Sequence, residues 1–246
     1  VLDMGLVPGT PLVVERKALS TTLFPYVFGG TSWGSDAPRL GRCWYAAFPW
    51  PHAATAADAA PGGNADMRGV VALAGNPNTG KTSLFNVLTG SRATVGNWPG
   101  VTVERREGQM RLPGSAITVV DLPGIYSLGA SSPDERVAAE YLLEDHPDLS
   151  VVVMDASAPE RSLYLVVQLL EMGLPAVVAL NMCDAAQEKG IRVNSRALGQ
   201  ILGVPVISTV AKDHTGIEEL KRQVAEEIER GPSYEPLEVP YGDRVE

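Results

Sequence analysis

The octapeptide Gly75-Asn76-Pro77-Asn78-Thr79-Gly80-Lys81-Thr82 lies between two segments of opposite character. It fits the pattern G-x-x-x-x-G-K-[ST] of a phosphate-binding loop. The apolar run Val70–Ala74 before it reads as a buried strand, and Lys81–Leu88 after it reads as a helix, which is the context such a loop requires. Glycines let backbone N–H groups close around phosphate oxygens, and a helix N-terminus adds partial positive charge. In that role Lys81 reaches the β- and γ-phosphates, and the Thr82 hydroxyl, followed by Ser83, faces a Mg²⁺ ion. Taken alone, the same residues could form a plain glycine-rich turn.

Outward from this loop, short apolar runs alternate with helical patterns. Strands are predicted over Val70–Ala74, Ala116–Val120, Ser150–Met154, Ala176–Leu180 and Val204–Ser208. Helices are predicted over Lys81–Leu88, Glu135–Leu143, Arg161–Met172, Ser195–Leu202 and Gly216–Glu229. Regular alternation of this kind implies an α/β fold with a mostly parallel, doubly wound sheet. A further strand around Gln109–Leu112 is expected to pair antiparallel with Ile117–Val120 through a turn at Pro113–Gly114.

Three more motifs follow in order. Asp121-Leu122-Pro123-Gly124 ends a strand; an aspartate there can hold Mg²⁺ through water, and the Gly124 N–H can sense a γ-phosphate. Asn181-Met182-Cys183-Asp184 also ends a strand. A carboxylate at Asp184 can accept both the N1–H and the exocyclic amine of guanine, a pair that adenine does not offer. Val210-Ala211-Lys212 follows the last strand, where a backbone N–H could meet guanine O6. Each of these is weak singly; their order after the loop predicts a GTP/GDP site.

Composition narrows the class. The 246 residues are 45% hydrophobic and 20% charged, which suits a globular chain rather than a disordered one. A net charge of −9 argues against a nucleic-acid partner held by a broad basic surface. Cys43 and Cys183 form no disulfide framework, so a reducing compartment is the default. No apolar run is long enough to cross a bilayer, and the N-terminus lacks a basic-then-apolar leader.

The loop Gly75–Thr82, the segment Val95-Gly96-Asn97-Trp98-Pro99-Gly100-Val101-Thr102-Val103-Glu104, the run Asp121–Leu128 and Ala179–Asp184 together resemble the G domain of the ferrous iron transport protein B family (FeoB). The resemblance covers Met67–Arg230. It implies that Thr102 is the switch I threonine, ligating Mg²⁺ when GTP is bound, and that Asn78 helps to hold a K⁺ ion. It implies GTP hydrolysis on the cytoplasmic face of a bacterial inner membrane, coupled to Fe(II) uptake, with helical and membrane domains following Glu246. Met182 replaces the lysine usual in the guanine motif of most GTPases, and Val210 the serine usual in the last motif.

Catalysis departs from the common GTPase plan. Where many GTPases orient water with a glutamine, this chain has Ile125, so hydrolysis is expected to be slow. Lys81, Thr102, Gly124 and Asn78 are the candidate catalytic set. K⁺ at Asn78 could supply the charge of an arginine finger, although Asn78 could equally cap its own loop. Arg92, Arg105 and Arg106 flank switch I as a conceivable finger in cis or as solvated surface charge. Trp98 is either a buried core residue or a partly exposed indole in a mobile loop. Competing readings are a soluble GTPase of ribosome assembly or tRNA modification, and a switch that hydrolyses nothing without a partner.

The front of the chain differs. Val1–Thr10 and Val13–Ala18 resemble part of ferrous iron transport protein A (FeoA), a small SH3-like β-barrel, which implies a possible FeoA-type partner. That likeness stops near residue 19. Residues 20–66, with Trp33, Trp44 and Trp50, carry no periodic framework and read as irregular, either a change of reading frame or a linker. Residues 231–246 read as the start of a linker.

Overall fold

The computed structural model describes residues 69–113, 115–129, 132–231 and 236–239. The stretch expected to be FeoA-like (1–19), the one expected to be irregular (20–66) with Cys43, Trp33, Trp44 and Trp50, Gly114 of the expected turn and most of the tail lie outside the described residues.

Among the described residues seven strands form one sheet in the order β2-β3-β4-β1-β5-β6-β7. They are β1 (Val70–Gly75), β2 (Ala93–Asn97), β3 (Glu104–Leu112), β4 (Ser115–Asp121), β5 (Leu149–Asp155), β6 (Ala176–Asn181) and β7 (Val206–Ser208). From β4 to β7 every neighbouring pair is parallel. Strands β2 and β3 add antiparallel at one edge. The mostly parallel α/β fold is therefore as the sequence implies.

Among the described residues six α-helices cover the two faces: α1 (Lys81–Thr89), α2 (Pro133–Glu140), α3 (Pro159–Glu171), α4 (Cys183–Glu188), α5 (Ser195–Leu202) and α6 (Ile217–Arg230). Because strand side chains alternate between faces, each central strand feeds two cores. On one face Leu73, Val119, Val151 and Val153 pack with Phe85 and Leu84 of α1 and Leu220 and Val224 of α6. On the other Ala72, Val120, Val152 and Met154 pack with Leu142 and with Leu165, Val166 and Leu169 of α3. Fully burying each such valine, leucine, methionine or phenylalanine side chain contributes roughly 1.5–3 kcal/mol. The sequence order reverses on either side of β1, and ligand crevices form at such a point, beyond the carboxyl ends of the strands.

Several boundaries differ from expectation. Strand β2 was not legible, because all five of its residues are exposed and show no apolar period. Strand β3 runs back to Glu104, well beyond the expected start at Gln109. Helix α2 starts at Pro133, where Ser132 Oγ accepts the Glu135 N–H at 3.1 Å, and gives way at Tyr141 to a π-helical turn ending at Asp145. The last strand begins at Val206 rather than Val204; Pro205 contributes only a carbonyl, which accepts the Val178 N–H at 2.9 Å. In the tail, the Leu237 N–H donates to Leu170 O at 2.9 Å, and Leu237 and Val239 pack against the core.

Candidate nucleotide site

The phosphate loop joins β1 to α1 at the reversal of strand order. Gly80 caps α1 with φ 80°, and a Cβ there would lie 2.4 Å from Asn181 Nδ2, so both conformation and space require glycine. Thr79 is buried, and its hydroxyl donates to Asn76 O at 2.9 Å. Asn76 is buried too, and its Nδ2 donates to Arg161 O at 2.8 Å, tying the loop to α3. Asn78 takes φ 67°, a left-handed conformation that asparagine tolerates, and its side chain is exposed with no hydrogen bond among the described residues.

Lys81 and Asp121 meet. The Lys81 ammonium pairs with the Asp121 carboxylate and donates to Leu122 O, with both side chains about nine-tenths buried (11% and 8% exposed). Thr82 and Ser83 are exposed at the start of α1. Gly124 faces the loop across a narrow gap, since a Cβ there would lie 3.2 Å from the Pro77 ring and backbone nitrogen. Ile125 donates its N–H to Gly75 O at 3.1 Å and is 1% exposed, so its side chain belongs to the core and not to the phosphate crevice.

At the far end, Asn181 is the hub. Its Nδ2 donates to Thr79 O at 2.9 Å, and its Oδ1 accepts the Ala211 N–H at 3.1 Å and the Thr209 hydroxyl at 3.3 Å. One buried amide thus fastens the phosphate loop, the end of β6 and the segment after β7. Met182 follows in a left-handed conformation at φ 60°, and Asp184 lies in the first turn of α4. Lys212 forms an ion pair with Asp184. The Lys212 hydrogen bond is the main cause that holds the Asp184 carboxyl below its ordinary value, so Asp184 is an anion at neutral pH. Of the backbone N–H groups expected to meet guanine O6, that of Val210 donates to Thr215 O at 3.0 Å and that of Ala211 is held by Asn181. Lys212 is left as the one of the three whose N–H makes no hydrogen bond among the described residues. Cys183 donates its Sγ–H to Leu180 O at 3.2 Å, and burial raises its pKa, which suits a packing role and not a nucleophile.

The segment expected to be switch I forms a β-hairpin. Strands β2 and β3 pair from Ala93↔Gly108 to Asn97↔Glu104, and the Trp98 N–H donates to Val103 O at 2.9 Å to close the tip. Thr102 sits exposed in that tip and is not bonded to Thr82 or Asp121. Trp98 is 6% exposed, which corrects the reading of a mobile, partly exposed indole. Its ring meets Tyr141 edge-on at 5.1 Å, and the Arg105 guanidinium lies 4.6 Å from its centroid. Burial pushes the Tyr141 hydroxyl up to about 12. Arg105 also pairs with Glu107, and Arg106 with Glu104, so the structure engages both arginines within β3. Two contributors carry no sequence signal: the amide of Asn76 toward α3, and Gln168 of α3, whose Oε1 accepts the Leu128 N–H at 3.1 Å.

Residues 69–224 match the family described as ferrous iron transport protein B. The Fe(2+) transporter FeoB of Escherichia coli K12 is 54% identical over 155 residues, 61% of this chain and 20% of that protein. FeoB of Salmonella typhimurium LT2 is 52% identical with the same coverage. The chain thus spans about a fifth of the length of these curated relatives. Among solved structures, the G domain of the T. maritima FeoB iron transporter is 46% identical, with a TM-score of 0.61, covering 65% of this chain and 98% of its own. The cytosolic domain of the same transporter in its GMPPNP form is 44% identical, with a TM-score of 0.66, covering 72% of this chain and 69% of its own. A mostly parallel α/β sheet, a phosphate loop at its reversal point and this extent of identity agree: the chain belongs to the ferrous iron transport protein B family.

Proposed function

We propose that residues 69–231 bind guanine nucleotide with Mg²⁺ and hydrolyse GTP slowly, as the GTPase unit of a transporter that takes up ferrous iron across a bacterial inner membrane. The observation that supports this reading is the Asn181 hub, which joins the phosphate loop to the strand ends that carry Asp184 and Lys212, the residues that would face a base. The GDP and GMPPNP forms of the T. maritima cytosolic domain support the ligand class. The unit would lie on the cytoplasmic face; among the described residues no helix is long and apolar enough to cross a membrane. A FeoA-type protein is a candidate partner.

The residues fit a Mg²⁺ ion. Thr82 presents a free hydroxyl at the helix start, and the Asp121 carboxylate is already drawn to this spot by Lys81. When bound, the ion neutralises charge on the β- and γ-phosphate oxygens. Lys81 exchanges Asp121 for phosphate, Gly124 offers its N–H to the γ-phosphate, and Thr102 joins only when the γ-phosphate is present. Ile125 cannot orient water from the core. A K⁺ ion beside the unpartnered Asn78 amide oxygen would supply the missing positive charge.

Two measurements test this. GDP titration against ADP should show strong guanine preference; equal affinities would overturn the reading. Single-turnover hydrolysis should be faster in K⁺ than in Na⁺ at matched ionic strength, by about tenfold, or ~1.4 kcal/mol. Asn78→Ala should remove most of that difference while GDP binding survives. Equal rates in the two salts, or an unchanged K⁺ response in the variant, would overturn the cation role.

A further inference from the structure

The stretch after β4 is fastened at every third residue. The Leu122 N–H donates to Leu73 O at 3.0 Å, and the Ile125 N–H to Gly75 O at 3.1 Å. The Leu128 N–H donates to Gln168 Oε1 at 3.1 Å. Leu122, Ile125 and Leu128 are each no more than 1% exposed, so the stretch lies flat with these three side chains in the core. The first two fasteners are backbone bonds to β1. The third is a side chain on α3, and only this one depends on residue identity.

Gln168 is itself out of place by hydrophobic logic. It is 4% exposed on a helix face shared with Leu165 and Leu169. Burying an amide carries a cost that leucine or methionine would avoid. Its orientation is fixed by chemistry, because the Leu128 N–H can only donate, so Oε1 must face it. The Nε2 then points to Tyr164 Oη, 3.4 Å away. The bond therefore serves the stretch it holds, which carries Gly124, pressed to within a methyl group of Pro77.

We propose that Gln168 is a positioning residue for the γ-phosphate. It fixes the downstream end of residues 122–128 so that the Gly124 N–H is aimed before GTP arrives. This rests on the guanine-nucleotide reading above. GDP makes no use of Gly124, so releasing the anchor leaves GDP binding unchanged. GTP must then order the freed stretch itself, and that ordering is subtracted from its affinity and from transition-state stabilisation.

The test compares Gln168→Leu, Gln168→Met and Gln168→Glu with wild type, by titration with GDP and GMPPNP and by single-turnover hydrolysis. Leucine and methionine remove the acceptor; glutamate keeps an acceptor for Leu128 and can also accept from the Tyr164 hydroxyl. The expected result is GDP affinity within about twofold of wild type in all three, and GMPPNP affinity lowered about tenfold in the leucine and methionine variants. The saturating hydrolysis rate falls with it, and glutamate restores most of both. A GMPPNP-to-GDP ratio unchanged in a folded leucine or methionine variant overturns the proposal, as does a glutamate variant no better than leucine. Should the leucine variant not fold, methionine and glutamate decide between these outcomes. A wild-type chain that binds neither nucleotide would instead overturn the guanine-nucleotide reading.

Discussion

At the proposed base end of the site, one buried amide at the end of β6 bonds to two other segments, the phosphate loop and the stretch after β7, and an aspartate is paired with a lysine. At the proposed γ-phosphate end, Thr102 stands at an exposed hairpin tip, with no site residue bonded to it among the described residues. On the proposed reading, contacts within the protein hold the first region, whereas the second would take its order from the γ-phosphate. Ordering a loop costs free energy at the moment of binding. On that reading the cost would fall on GTP, which would need the Thr102 segment, and not on GDP, which would not.

The sharpest way to break this contrast is at the residue that serves both nucleotides. Lys81→Ala should weaken GDP and GTP analogues together by at least about a hundredfold, ~2.7 kcal/mol, because the phosphates lose their charged partner. A fluorescent GTP analogue measures it, and affinity within a few fold of wild type would disprove the role. Next comes the base end. Asp184→Asn should shift preference from guanine to xanthine nucleotides by about tenfold or more, since asparagine donates where xanthine presents a carbonyl. A variant that still prefers GTP to XTP would show that Asp184 does not read the base. The same carboxylate sets a pH expectation. Its folded-state pKa is depressed by Lys212, so its contribution is complete above the ordinary carboxylate range and is lost only as pH falls through the depressed value. Guanine preference should be flat through neutral pH. The smallest effect belongs to the unassembled end: Thr102→Ala should leave GDP affinity within about twofold. It should also erase the GMPPNP-induced change in Trp98 fluorescence, and an identical change in both proteins would contradict the assembly argument.

How far these regions could be read from sequence follows the same division. Buried parallel strands are nearly continuous apolar runs, so β1, β4, β5 and β6 were found within about a residue or two. Strand β2 could not be, because Ala93-Thr94-Val95-Gly96-Asn97 is exposed throughout and owes its shape to its partner β3. The guanine motif announced Asp184, but Asn181's tie to Thr79 spans 102 residues of sequence and is a fact of tertiary packing alone. Trp98 is buried by Tyr141 and Arg105, neither of which any local pattern assigns to it. The Gln168 bond spans 40 residues and likewise carries no periodic signal.

Ile125 also constrains what this lineage can become. Its side chain is walled into the same core as Leu122, Leu128 and Val137, while its N–H is spent on Gly75. Substituting glutamine would not hand the site a water-orienting amide. It would strand that amide among hydrocarbon, at a cost of about 1–3 kcal/mol for each polar group left unpaired. A single Ile125→Gln substitution would therefore not supply the water-orienting amide of the common GTPase mechanism.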